Sequence, residues 1–172
     1  VVNALSKDCS VEVSREGKVH HQKYSLGIAK SKVKVIGKSK KTGTKVTFYP
    51  DYAIFKHSKY EFDIIDERMR ELSYLNSGLK ITVEDTRNDE GKNTVHFSKG
   101  GLSEFVKYLD EGQNVIFKKP IHINGEKEGV PVEMALQYNL SFSENMLTFV
   151  NNINTVEGGT HLAGFKRLSP AL

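Results

Sequence analysis

The spacing of apolar residues changes near residue 60, from a period of two to a period of three and four. Val11 and Val13 alternate with polar neighbours, Glu16-Gly17-Lys18 supplies a turn, and Val19 to Leu26 returns. Residues 10–16 and 18–26 are therefore predicted to form a β-hairpin. A further strand is expected over 32–37, where Val33 and Val35 alternate with Lys32 and Lys34, so that the two lysines project from one face. Thr42-Gly43 turns the chain into a strand over 44–49, which Pro50-Asp51 ends. Ahead of these strands, Val1 to Ser6 reads as the tail of a helix. The first stretch is thus a helix end followed by strands meandering in one antiparallel sheet.

From residue 61 the pattern is helical. Phe62, Ile65, Met69, Leu72 and Leu75 predict an amphipathic helix over 61–77. Asp66 and Arg70 lie four apart on its polar face, and Gly78 stands at the C′ position. Strands are predicted at 79–86 and 93–98 around the loop Asn88-Asp89-Glu90-Gly91. Gly100-Gly101 opens a second helix, with Phe105, Val106 and Leu109 as its buried stripe, stopping near Gly112. Residues 115–124 and 130–140 form a long hairpin turning at Asn124-Gly125. Met146, Leu147, Phe149 and Val150 mark a strand over 145–151 that runs into an asparagine cluster. A Gly158-Gly159 turn follows, then Thr160 as N-cap of a final helix from His161. The class is α+β, with a sheet covered by helices on one side in the second half. The boundary is placed near residue 58, giving domains 1–58 and 59–172.

Composition narrows the function classes. Apolar residues make up 38% and charged residues 27% of the 172, ordinary values for a folded soluble protein. The apolar runs are far too short to cross a bilayer, and no secretory signal is visible. Cys9 is the single cysteine, which excludes an internal disulfide and fits a reducing, cytoplasmic setting. The net charge of +4 conceals an asymmetry. Residues 1–60 hold 13 Lys and Arg against 4 Asp and Glu, a balance of +9, and the remainder holds 12 against 17, a balance of −5. The basic half includes Lys30, Lys32, Lys34, Lys38, Lys40 and Lys41, a solvated strand edge or a surface near nucleic acid. No arginine-rich tract or stacking platform accompanies them, so a stand-alone DNA-binding module is disfavoured.

The usual catalytic patterns are absent. His20 and His21 are adjacent and so point to opposite faces of a strand, which with one cysteine argues against a zinc site. No Gly-x-Ser-x-Gly elbow and no phosphate-binding Gly-x-x-x-x-Gly-Lys-Ser/Thr pattern occurs. The two Gly-Gly pairs at helix starts, 100–101 and 158–159, are sites where backbone N–H groups gather, and such a start either holds an anion or merely turns the chain.

Four segments, in order, carry a resemblance: Val1-Val2-Asn3-Ala4-Leu5-Ser6, then Gly43 to Asp51 with Ile54-Phe55, then Arg68 to Asn76, then Asn151 to Phe165. Together they resemble the ATPase subunit of bacterial type IIA topoisomerases, the family of gyrase and topoisomerase IV. The resemblance implies the C-terminal part of a Bergerat (GHKL) ATPase α/β sandwich, followed by a transducer domain of the ribosomal-protein-like split β-α-β fold. It implies a fragment of a longer protein that couples ATP binding and hydrolysis to DNA strand passage and negative supercoiling. Decatenation by the topoisomerase IV subunit, or a non-enzymatic binding module built on this fold, are the alternatives.

The site residues implied by the resemblance are few. Thr44 matches the threonine at the adenine end of the nucleotide, and Gly43 permits close backbone approach. Arg68 and Arg70 on the first transducer helix are expected near DNA. The catalytic glutamate, the magnesium-binding asparagine, the adenine-binding aspartate and the lid glycines would lie upstream of Val1, and the γ-phosphate lysine downstream of Leu172. No catalytic or metal-binding residue is therefore expected within the 172, and the chain alone is expected not to hydrolyse ATP. ATP and Mg2+ belong to the full-length parent, with neither expected on the fragment. Its implied partners are DNA, a DNA-cleaving subunit in an A2B2 heterotetramer, and a second ATPase region, with no membrane and a cytoplasmic, nucleoid-associated location.

Overall fold

A computed structural model describes residues 1–56, 59–87, 91–142 and 144–168. The chain divides into two compact units, Val1–Tyr60 and Glu61–Leu172. It is a mixture of helix and strand, with the strands of the first unit preceding every helix.

The first unit is one antiparallel sheet. Strand β1 (Ser6–Arg15) forms a hairpin with β2 (Lys18–Ser25), closed by Glu16 and Gly17 at φ 53° and 77°. Two successive left-handed residues match the twist of the flanking strands, which explains the glycine. Short β3 (Ile28–Ala29) and then β4 (Lys34–Lys38) both pair with β2, and β5 (Gly43–Pro50) closes the other side against β1. The predicted helix tail at Val1 to Ser6 is a single turn. Leu5 N–H donates to the Val1 carbonyl at 3.1 Å, the Ser6 hydroxyl donates to the Val2 carbonyl at 2.6 Å, and Ser6 already belongs to β1.

In the second unit, helix α1 (Phe62–Leu75) lies against strands β6 (Lys80–Asp85) and β7 (Lys92–Phe97). Gly78 sits at φ 85° just past the helix end. The loop expected at 88–91 falls largely outside the described residues. Helix α2 (Leu102–Leu109) follows and packs on α1 and on strand β9 (Val130–Leu136), the partner of β8 (Ile121–Lys127). That hairpin turns at Glu128-Gly129, φ 54° and 78°, and not at Asn124-Gly125 as predicted. Asn124 and Gly125 pair with Glu133 and Val132 inside the ladder. Both dipeptides offer a left-handed turn, and the longer register wins by adding backbone pairs.

The expected strand at 145–151 is reduced to β10 (Phe149–Val150), paired with β11 (Ile153–Asn154). The asparagine cluster is itself the turn between them, with Asn151 and Asn152 at φ 50° and 64°. Helix α3 (Gly159–Leu168) begins one residue before Thr160, which therefore lies inside its first turn and not at the N-cap. The sheet expected under the helices consists, among the described residues, of separate two-stranded ladders.

Candidate functional site

Thr44 and Gly43 open β5. Thr44 lies opposite Val13, Val46 opposite Val11, and Phe48 opposite Cys9. Side chains two apart on a strand share a face, so the Thr44 hydroxyl sits at one end of an apolar strip made by Val11, Val13, Val46 and Phe48. Val35 of β4 joins this face through its pairing with His20, which opposes Val13. Cys9 is buried, yet Val35, Val46 and Phe48 remain 55%, 50% and 43% exposed. The opposite face carries Glu12, His21, Lys34 and Lys45 in one cross-strand row. A methyl group added at Gly43 would meet nothing within 4 Å, so the strand surface beside Thr44 is open. Among the described residues, no three His, Cys, Asp or Glu side chains converge as a metal site.

Arg68 and Arg70 stand on α1, 38% and 35% exposed, with their guanidinium groups turned to protein partners. Arg70 donates to Asp66 at 3.0 Å and to the Tyr108 hydroxyl at 2.8 Å, with its centre 5.4 Å from the Tyr108 ring. Asp66 is 7% exposed and also accepts from Thr94 and, at 2.6 Å, meets Nε2 of His96. Burial pushes the Asp66 carboxyl up, but hydrogen bonds from Thr94 and His96, then the charges of His96 and Arg70, outweigh it and hold the group below its ordinary 3.8. The Tyr108 hydrogen bond leads the influences that raise Arg70. Phe105, Tyr74 and Tyr108 stack beneath this network, with ring centres 5.1 and 5.7 Å apart.

Arg68 pairs with Glu71 one turn along and donates to the backbone carbonyl of Asn152 at 2.7 Å. The Asn152 amide in turn donates to Asn76 Oδ1 at 2.9 Å. Thr94, His96 and Tyr108 carry no motif that marks them in the sequence, whereas Asn76 and Asn152 fall within segments that carry the resemblance, with no role assigned to either. The i,i+4 spacing of Asp66 and Arg70 was the one local signal of the network they build.

The first Gly-Gly pair is accounted for internally. Ser98 accepts from Gly101 N–H at 2.9 Å, and Glu104 accepts from Gly100 N–H at 2.9 Å and from Ser98 at 2.6 Å. The N–H groups of Gly100 and Gly101, just ahead of α2, are thus taken by Glu104 and Ser98. At the second pair, Gly158 at φ 78° is buried, and an added methyl group would run into Leu162.

A sequence model of the DNA gyrase B family matches residues 101–168. The chain is 50% identical over 170 residues to the DNA gyrase B protein of Cytophaga hutchinsonii, covering 96% of this chain and 36% of that protein. It is 48% identical over 167 residues to the DNA gyrase B protein of Halalkalibacterium halodurans, covering 96% and 26%. The chain belongs to the DNA gyrase B family. It is also similar to the B component of a type 2 topoisomerase in Aquifex aeolicus, 47% identical over 166 residues, 96% of this chain and 21% of that protein. The chain therefore spans about a third or less of these curated relatives. Its structure matches the crystal structure of the 43K ATPase domain of Thermus thermophilus gyrase B in complex with an aminocoumarin. The TM-score is 0.85 at 40% identity, over 96% of this chain and 45% of that one. Among the described residues no helix is long and apolar enough to cross a membrane.

Proposed function

We propose that this chain is part of the ATP-hydrolysing subunit of a gyrase, coupling ATP binding and hydrolysis to DNA strand passage and negative supercoiling. The observation that carries the proposal is the likeness, over 96% of the chain, to the gyrase B ATPase domain of Thermus thermophilus. On this reading residues 1–58 are the C-terminal portion of a GHKL ATPase domain and 59–172 a transducer domain. Thr44 and Gly43 contribute the adenine edge of the nucleotide site, with Val46 and Val13 beneath the base. The phosphates, Mg2+ and the general base need residues from elsewhere in the parent, so the 172 residues alone do not turn over ATP. Mg-ATP, when bound there, supplies a phosphoryl group whose hydrolysis drives the cycle. This chain's own residues position the base and transmit the nucleotide state.

The proposed partners are DNA, a DNA-cleaving subunit in an A2B2 assembly and a second copy of the ATPase region, in the bacterial cytoplasm on the nucleoid. Arg68 and Arg70 are proposed to lie beside the DNA path while their guanidinium groups hold α1 to its neighbours.

The deciding experiment reconstitutes the full-length parent with its DNA-cleaving partner on relaxed plasmid, with and without ATP. ATP-dependent negative supercoiling supports the proposal. ATP-dependent decatenation without supercoiling transfers the chain to topoisomerase IV, and inactivity in both assays points to a derived binding module. Within the same protein, Thr44→Val removes the hydroxyl at nearly constant volume. One hydrogen bond contributes about 0.5–1.5 kcal/mol net, so ATP affinity is expected to fall about 2- to 12-fold. Unchanged affinity by calorimetry would remove Thr44 from the site.

A further inference from the structure

We infer that Arg68, Asn76 and Asn152 form a clamp that ties the start of α3 to α1, making them positioning residues for the coupling proposed above, on which this role rests. The hairpin of β10 and β11 is two residues per strand, too short to hold itself. Its turn places two non-glycine residues in the left-handed region, a conformation that persists when the surroundings over-determine it.

Asn152 is held at both ends. Its backbone carbonyl accepts from Arg68 at 2.7 Å, and its side-chain amide donates to Asn76 Oδ1 at 2.9 Å. Asn76, capping α1, returns its own amide to the Leu72 carbonyl at 2.8 Å, and Glu71 pairs with Arg68 to orient it. Every group on the α1 side of the clamp is thus committed to that helix before it reaches across to a residue 76 or 84 positions away. Beneath it, Phe149 meets Phe105 at 6.3 Å between ring centres.

The connection continues into α3 through threonines. Thr155 N–H donates to the Thr148 carbonyl at 2.8 Å, and the two hydroxyls meet at 2.6 Å. The Thr155 hydroxyl lies 3.2 Å from Nε2 of His161, and its carbonyl accepts from Gly158 N–H at 2.7 Å. A displacement of α1 is therefore carried to the first turn of α3 through bonds, with no unsupported loop between them. Asparagine at 152 serves three needs at once: a tolerated positive φ, a carbonyl for Arg68 and an amide for Asn76. Glycine would meet the first two and lose the third.

That difference supplies the test, made in the full-length parent with its DNA-cleaving partner. In Asn152→Gly and Asn76→Ala, amide hydrogen exchange across residues 153–162 is expected to rise about tenfold. DNA-stimulated ATP turnover is expected to fall about fivefold while DNA-free turnover stays within about twofold. Asn76→Asp keeps the oxygen that accepts from Asn152 and is expected to retain most of the stimulation. Unchanged exchange over 153–162 in both variants overturns the clamp. Equal losses of DNA-free and DNA-stimulated turnover overturn its positioning role and leave it a stability element. Absence of DNA stimulation in the unmodified parent would instead overturn the coupling reading, and the exchange result would still decide the clamp.

Discussion

In the Val1–Tyr60 unit Val46 and Phe48 of β5 remain 50% and 43% exposed, whereas in the Glu61–Leu172 unit Phe105 is 6% exposed and Asp66 is buried at 7%. The two units differ in layers. Among its described residues the first holds one sheet and no helix. In the second, α1 and α2 pack on each other and on short ladders, and the space between them is closed enough to hide a carboxylate. Amphipathic alternation creates an apolar face in either setting, but burial requires something to press against it. Burial around α1 and α2 therefore reaches Phe105 and Asp66, whereas Val46 and Phe48, on the face that Thr44 shares, stay half exposed.

The largest effect that could break this contrast is truncation of the aromatic anchor. Phe105→Ala removes a stacked, buried ring and is expected to cost about 3–4 kcal/mol. Phe48→Ala, on the half-exposed sheet face, is expected to cost about 1 kcal/mol. Hydrogen-exchange protection, followed separately for β1 and for α1, reads the two losses. Equal costs would mean that the sheet face is covered in solution and that the two units do not differ as described.

A sharper probe is the pH dependence of the second unit. Asp66 has its carboxyl depressed below 3.8 in the folded chain, so its network contributes stability that is fully present above that value. The contribution is lost as the pH falls below 3.8 and through the lower folded value. Asp66→Asn leaves Arg70 without its carboxylate and is expected to cost about 2–3 kcal/mol near neutrality. It should also flatten the acid limb of the stability curve measured by urea denaturation. An acid limb as steep as that of the unmodified protein would show that other carboxylates set it.

Much of the sheet could be read in advance. Alternation at Val11 and Val13 and the turn residues Glu16-Gly17 placed β1 and β2 within a few residues of their observed ends. Helix α1 followed from Phe62, Ile65, Met69, Leu72 and Leu75. Where local signals were degenerate, the sequence could not choose. Asn124-Gly125 and Glu128-Gly129 are both turn dipeptides, and pairing length decided between them. The polar network was illegible for a different reason. In β7 the apolar residues Val95 and Phe97 are 54% and 49% exposed, while Thr94 and His96 face Asp66. Alternation gives a strand its two faces, but a buried acceptor on a helix 28 residues earlier decides which one turns inward. For Arg68 and Arg70 the resemblance implies a place near DNA and says nothing of their protein partners. Their partners, Asn152 and Tyr108, lie 84 and 38 residues away, and nothing local in the sequence links either arginine to them.

The smallest expected effect concerns the basic edge of the first unit. Lys38 of β4 lies directly opposite Lys18 of β2, and Lys18 also opposes Arg15 of β1, so three cations stand side by side across the strands. The pair Arg15–Glu16, at 3.3 Å and largely exposed, offsets little of this repulsion. Like charges opposed across a ladder destabilise it by a few tenths of a kcal/mol, and opposite charges reverse the sign. Lys38→Glu is therefore expected to stabilise the sheet by about 0.5 kcal/mol at low salt. At about 1 M salt the screening length falls to about 3 Å and the gain should disappear. A gain that survives high salt would trace to packing or to the unfolded chain. A loss at low salt would mean that Lys38 has an attractive partner, and the first unit would then be bound together more firmly at its edge than its open face implies.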